Sequence, residues 1–246
     1  MPIHDWTRVN AGTFHDFHQG WTIEIRNALN RGVLPVGYVA ATDQRVMTYE
    51  PDISSHARGD RPRSTEVRGG LAVAEAPPSI KRVAQLETEA EAFARRGNRI
   101  IIRHARGRPV AVIEVVSPGN KDRDHSVQRF VGKVGDFLKQ GISVVFVDLF
   151  PPGSFDRVGL HGIIAGNWLE FAEPIPGDDP PLAVVSYDAG EPLTSYLEPL
   201  AVGDQLPEAP LFLDAGYYVP LPLETTYQAA WDNLGSDVRE FFEAGR

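Results

Sequence analysis

Apolar residues at Phe14, Phe17, Trp21, Ile25, Ala28 and Leu29 recur at steps of three and four, which predicts an amphipathic helix over residues 14–31. Gly32 is a natural stop for it. After a turn at Pro35 and Gly37, Tyr38 to Tyr49 has the β-branched and aromatic content of one long strand or two short ones. Residues 54–70, rich in Arg, Ser, Gly and Pro, read as a loop, and Ser79 to Arg96 has helical composition. Two apolar runs, Arg99 to His104 and Pro109 to Val116, flank Ala-Arg-Gly-Arg and predict a hairpin. A second amphipathic pattern, Val127, Phe130, Val131, Val134, Phe137 and Leu138, predicts a helix from about Asp124 to Gln140 ended by Gly141. The almost continuous apolar run Ile142 to Leu149 predicts a strand buried on both faces in a parallel arrangement.

Beyond Pro151 the pattern shortens. Most of the 20 prolines fall between Pro151 and Pro222, which argues against long helices there. Short strands are expected at Leu182–Tyr187, Ser195–Leu200 and Leu211–Leu213, followed by a closing helix from Thr226 to Ala244. The elements therefore predict an α/β (α+β) fold. Residues 1–150 would form a core with an inserted segment at about 54–97. Residues 151–246 would form a Pro-rich β meander and a C-terminal helix packed on that core.

Composition narrows the chemistry. No cysteine occurs in the 246 residues, which excludes disulfides, thiolate metal sites and a thiol nucleophile. No apolar run approaches a membrane span, and the start MPIHDWTRVN lacks the pattern of a secretory signal, so a soluble cytoplasmic protein is expected. The net charge of −9 is distributed unevenly. Residues 170–246 carry 15 acids and 2 arginines, whereas residues 1–169 carry 18 acids and 22 Lys or Arg. Within the basic part, Arg95, Arg96, Arg99, Arg103, Arg106 and Arg108 lie in one stretch without an acid. Such a stretch suits either contact with nucleic-acid phosphates or a solvated edge strand whose cations block aggregation.

Two acids stand where strands meet turns: Asp52, in Tyr-Glu-Pro-Asp-Ile, and Glu114, in Val-Ile-Glu-Val-Val-Ser-Pro-Gly-Asn-Lys. A carboxylate inside an apolar run is costly unless it is paired, protonated or bound to a cation. Glu114 therefore reads as a metal ligand or as the partner of an arginine at the core's edge. Weaker candidates are a His/Asp metal site from His15 and His18 with His4 or Asp5, Glu24 on the first helix, and Asp148 at the end of the buried strand. Ser117 suits a turn better than a nucleophile elbow, and no P-loop occurs. Tyr217 and Tyr218 are expected to pack in the core.

The Pro-Asp pair at 51–52, the run Ile113 to Lys121, and the following helix and strand Ile142–Leu149 resemble the bacterial family catalogued as domain of unknown function 4058. That family is similar to the Uma-two endonuclease-like group of the PD-(D/E)XK restriction-endonuclease-like superfamily. The resemblance implies an α-β-β-β-α-β core in which Asp52 and Glu114 hold Mg²⁺ or Mn²⁺ for hydrolysis of a DNA or RNA phosphodiester. It also implies a lysine two residues after Glu114, where this chain has Val116. Lys121, or Lys133 on the next helix, would take that place, since some members of the superfamily supply the cation from that helix. The alternative is a nuclease fold that has lost catalysis and serves binding or scaffolding. No membrane partner is expected, and a dimer is compatible with the sequence.

Overall fold

The computed structural model of the chain describes residues 2–43, 99–104, 107–168 and 181–244. Helix α1, Ala11–Ala28, starts where the Asn10 side chain accepts the Thr13 backbone N–H at 2.9 Å. A wider π-helical turn, Leu29–Val33, follows and ends at Gly32, whose φ of 148° is outside the helical range. Strands β1 (Tyr38–Asp43), β2 (Arg99–His104) and β3 (Pro109–Val115) come next, then α2 (Asp124–Lys139) and β4 (Ser143–Asp148). The second half contributes α3 (Gly159–Trp168), β5 (Leu182–Asp188), β6 (Thr194–Leu200), β7 (Glu208–Asp214) and β8 (Tyr217–Pro222). It closes with α4 (Leu223–Asp232) and α5 (Ser236–Glu243).

Six strands form one sheet in the order β1-β2-β3-β4-β5-β6, and β7 and β8 form a separate antiparallel pair. Only β3 and β4 run parallel, with Ala111 opposite Ser143 and Glu114 opposite Phe146. The expected crossover through α2 joins them. All other pairs in the sheet are antiparallel. Strands from both sides of residue 150 thus share one sheet, through the β4–β5 pairing. The fold is α+β.

Alternation along the central strands builds two apolar layers. Ile100, Ile102, Ile113, Val115, Val145 and Val147 face α1, α4 and the β7–β8 pair. Ile101, Val112, Val116, Val144 and Phe146 face α2 and α3. Every apolar residue of the predicted α2 stripe is buried. The β1 edge is capped by Asn30, which exchanges two 2.9 Å hydrogen bonds with the backbone of Ala40. Such a cap leaves less edge for another chain to pair with.

Four expectations are corrected here. The arginine-bearing strand β2 is no edge strand, since β1 and β3 flank it. The closing helix is two helices, broken between Asp232 and Ser236 with Gly235 capping the second. The strand expected at Leu211–Leu213 spans Glu208–Asp214 and pairs with a further strand, β8. Tyr217 and Tyr218 are 79% and 58% exposed rather than core residues.

The N-terminal segment is tied down by one hydroxyl. Tyr227 Oη accepts the Trp6 indole N–H at 3.1 Å and the His4 backbone N–H at 3.2 Å, and it donates to His4 Nδ1 at 2.9 Å. His4 also stacks on Trp231 with ring centroids 3.6 Å apart. Burial raises the Tyr227 pKa well above the usual phenol value, so the hydroxyl stays protonated and able to donate. Replacing Tyr227 by Phe keeps the packing but strands buried donors. We expect a loss of about 1–3 kcal/mol in urea unfolding, with the intrinsic fluorescence of the folded state retained.

Candidate functional site

Glu114 is the second-last residue of β3 and shares a strand face with Val112 and Val116, toward α2. It is 8% exposed. Two cations from different elements meet it. Lys133, on α2, donates a short hydrogen bond to Oε2. Arg99, opposite Glu114 in the β2–β3 register, has its Nε 3.7 Å from Oε1. That distance is an ion pair and not a hydrogen bond: Arg99 Nε and Glu114 Oε1 are both buried without a hydrogen-bond partner. The guanidinium lies 5.8 Å from the Phe137 ring and the ammonium 4.9 Å from the Phe130 ring, both on α2. Burial of the ammonium pulls the Lys133 pKa below the ordinary lysine value. Glu114 opposes that shift and Arg99 and Arg129 reinforce it.

The structure brings Glu114 and Lys133 together and places Lys121 elsewhere. Ser-Pro-Gly-Asn folds into a 3₁₀ turn, Pro118–Asn120, in which Asn120 Oδ1 accepts from the Ser117 N–H and hydroxyl, both at 2.9 Å. That turn delivers Lys121 into a buried oxygen cage. Its ammonium lies 2.8 Å from Asp148, 3.0 Å from Asp156, 2.6 Å from the Phe150 carbonyl and 3.2 Å from the Pro151 carbonyl. Its three hydrogens go to Asp148 and the two carbonyls and Asp156 adds an ion pair, so Lys121, expected in catalysis, is engaged in this cage and not at Glu114. Asp148 is likewise committed: its other oxygen accepts the Phe150 N–H at 3.1 Å. Burial raises the Asp148 pKa, and the ammonium opposes that.

The remaining candidates divide. Asp52, Arg95, Arg96 and Arg106 lie outside the described residues. Arg99 is buried against Glu114, which corrects its assignment as a phosphate contact. Arg103 donates to the Gly107 carbonyl at 3.1 Å, and Arg108 is exposed. Glu24 is half-buried on α1, the helix that packs on the opposite face of the sheet from the one Glu114 faces. His4, His15 and His18 make no joint metal site. His4 is engaged by Tyr227, Gln19 donates to His15 at 2.9 Å, and His18 Nε2 donates to the Val115 carbonyl at 2.8 Å. Asp5 accepts the Thr7 N–H and hydroxyl.

Among the described residues, no three His, Asp or Glu side chains converge as metal ligands. Two anionic oxygens among these residues are buried without a hydrogen bond, Glu114 Oε1 and Asp156 Oδ2. The second lies 3.0 Å from the Lys121 ammonium, which leaves Glu114 Oε1 as the better fit for a hard divalent cation. Lys133 and Arg99 stood in the sequence as two of many cations. The signal that singles them out is the strand register for Arg99 and the inward face of α2 for Lys133.

Family models, curated proteins and solved structures were all compared with the chain, and none matches. Among the described residues, no helix is long and apolar enough to cross a membrane.

Two measurements check these assignments. Replacing Lys121 by Met leaves Asp148 and Asp156 buried without their cation. It should cost about 3–5 kcal/mol in urea unfolding, the penalty for breaking a buried pair. His18 tests the effect of pH. Burial lowers its pKa to about 4, from 6.5 in the unfolded chain. The unfolded state therefore binds the extra proton between those values, and stability falls as pH drops from 6.5 to 4. Comparing His18→Gln with the parent at pH 7 and pH 4, the stability difference should move in the variant's favour by about 3 kcal/mol.

Proposed function

We propose that this chain is a divalent-metal-dependent nuclease with a restriction-endonuclease-like core. The observation that carries the reading is the ammonium of Lys133 on the Glu114 carboxylate, an acid–lysine pair assembled from β3 and α2. The order α1-β1-β2-β3-α2-β4, with β3 and β4 parallel, supports it, as does the resemblance of the Glu114–Lys121 run to the family catalogued as domain of unknown function 4058. In this reading Glu114, through Oε1, and Asp52 hold Mg²⁺ or Mn²⁺. The metal supplies charge stabilisation at phosphorus and a more acidic bound water. Lys133 hydrogen-bonds the attacking water or a phosphate oxygen, and Arg99 holds Glu114 in place. Arg108 and Arg103, with Arg95, Arg96 and Arg106, contact backbone phosphates of DNA or RNA.

A second reading, a nuclease fold that binds or scaffolds without cleaving, is favoured by a specific observation. Both oxygens of Glu114 face fixed cations, so the carboxylate is already neutralised without a metal. Titrating Mg²⁺ and Mn²⁺ into the protein with labelled single- and double-stranded DNA and RNA separates the two. On the first reading cleavage requires the metal, and Glu114→Gln, Asp52→Asn and Lys133→Gln each lower it on the order of 100-fold or more. Cleavage that survives both acid substitutions would remove the assigned site. Nucleic-acid binding without cleavage at any metal concentration would leave the second reading.

A further inference from the structure

The β6–β8 side of the molecule carries aromatic rings that the core does not use. Phe212, on β7, is 2% exposed yet belongs to neither apolar layer. It is sandwiched instead between Tyr196 of β6, stacked with centroids 5.2 Å apart, and Tyr218 of β8, tilted at 5.4 Å. These two tyrosines are 46% and 58% exposed, whereas Tyr217, the preceding residue of β8 and so on its opposite face, is 79% exposed. A buried phenyl ring thus holds two partly exposed tyrosines, one from each neighbouring strand.

The setting of that pair is acidic. Residues 181–244 contain eleven acids and a single base, Arg239. Three exposed carboxylates flank the tyrosines. Glu198 is two residues from Tyr196 on the same strand face, and Asp214 is opposite Tyr217 in the β7–β8 register. Glu191 lies in the β5–β6 loop, whose Gly190 abuts Ala215 of the β7–β8 turn. The turn is held rigid by Asp188, which accepts the N–H groups of Gly190 at 3.1 Å and Gly216 at 2.8 Å. This carboxylate is committed to the backbone; Asp214 also accepts a backbone N–H, from Ala215 at 2.9 Å, but is at the surface with Glu191 and Glu198.

Charge and ring geometry select the partner. A nucleic-acid strand could stack on the tyrosines, but its phosphates would be repelled by the carboxylates. A cationic segment is attracted by the acids, and guanidinium groups stack on tyrosine faces better than ammonium groups do. From this juxtaposition we infer that the Tyr196–Tyr218 face is a docking surface for an arginine-rich segment of a protein partner. The inference is independent of any activity at Glu114.

Fluorescence anisotropy of the full chain with labelled octa-arginine tests it, with octa-lysine and oligo-dT as comparison probes. Octa-arginine should bind more tightly than octa-lysine and weaken as salt screens the acids. Loss of two cation–π contacts in Tyr196→Ala/Tyr218→Ala should weaken binding by about tenfold, while the Phe versions stay within about twofold. Tyr217→Ala, on the opposite face of β8, should leave binding within about twofold. Glu198→Gln/Asp214→Asn should flatten the salt dependence, whereas Glu240→Gln/Glu243→Gln on α5 should not. Octa-arginine binding that ignores Tyr196 and Tyr218 would reduce the effect to net charge and overturn the inference. So would tyrosine-dependent binding of oligo-dT, or self-association in sedimentation that Tyr217→Ala abolishes.

Discussion

Because β3 and β4 are covered by apolar layers on both faces, any charge they carry has to be neutralised by an element packed against them. Glu114 and Asp148 are the two carboxylates on this pair of strands, and each dictates a neighbour. Glu114 draws Arg99 from β2 and Lys133 from α2. Asp148 draws Lys121 from the turn after β3, and Asp156 from the loop after β4 joins the same ammonium. These ion pairs do not by themselves make the fold stable, since desolvation offsets much of their attraction. They specify which helix face, which strand register and which turn meet at the ends of the central strands. A register slip of one residue would put Glu114 into the apolar layer of Ile113 and Val115, away from Lys133 and Arg99.

The same constraint accounts for Val116. Position 116 is on the Glu114 side of the strand but is 0% exposed, and Val116 packs with Val127, Val131 and Phe146 in the α2 layer. A lysine there would have to bury its stem and ammonium among those groups. Lys133 reaches the same carboxylate from the helix, with a quarter of its side chain still exposed. An acid–lysine pair can therefore form between residues that are 19 positions apart in the sequence. What the pair needs is a short distance in space, and the α2 face supplies it.

Much of this was legible along the chain. The α2 stripe, the buried β4 run, the β2–β3 hairpin and the strands β5, β6 and β7 follow from periodicity, because burial on one or both faces imprints a repeat. Glu114 stood out because a carboxylate in Val-Ile-Glu-Val-Val violates that repeat, and its reading as the partner of an arginine agrees with the 3.7 Å approach of Arg99. Less legible were the choices among cations. Lys121 and Lys133 are indistinguishable in a string of letters, and only the 3₁₀ turn at Pro118–Asn120 sends one into an oxygen cage. Tyr217 and Tyr218 misled because aromatic residues in strands usually pack inward. Here the inward positions of the hairpin are taken by Leu211, Leu213 and Leu221, and Phe212 faces the other way.

The charge asymmetry also acquires a physical form. A net −13 for residues 170–246 and +4 for residues 1–169 would partly cancel if both sets of charges shared one surface. The topology interposes the sheet. The candidate phosphate contacts Arg103 and Arg108 belong to the β2–β3 hairpin, three or more strands away from β6 in the sheet order. The β7–β8 pair, which carries Asp214, packs against the layer opposite Glu114 and α2. Separated in this way, the two charge fields can serve partners of opposite sign. Exposed charges are largely screened beyond about 10 Å at physiological salt, so separation across the sheet lets each set act on its own surroundings.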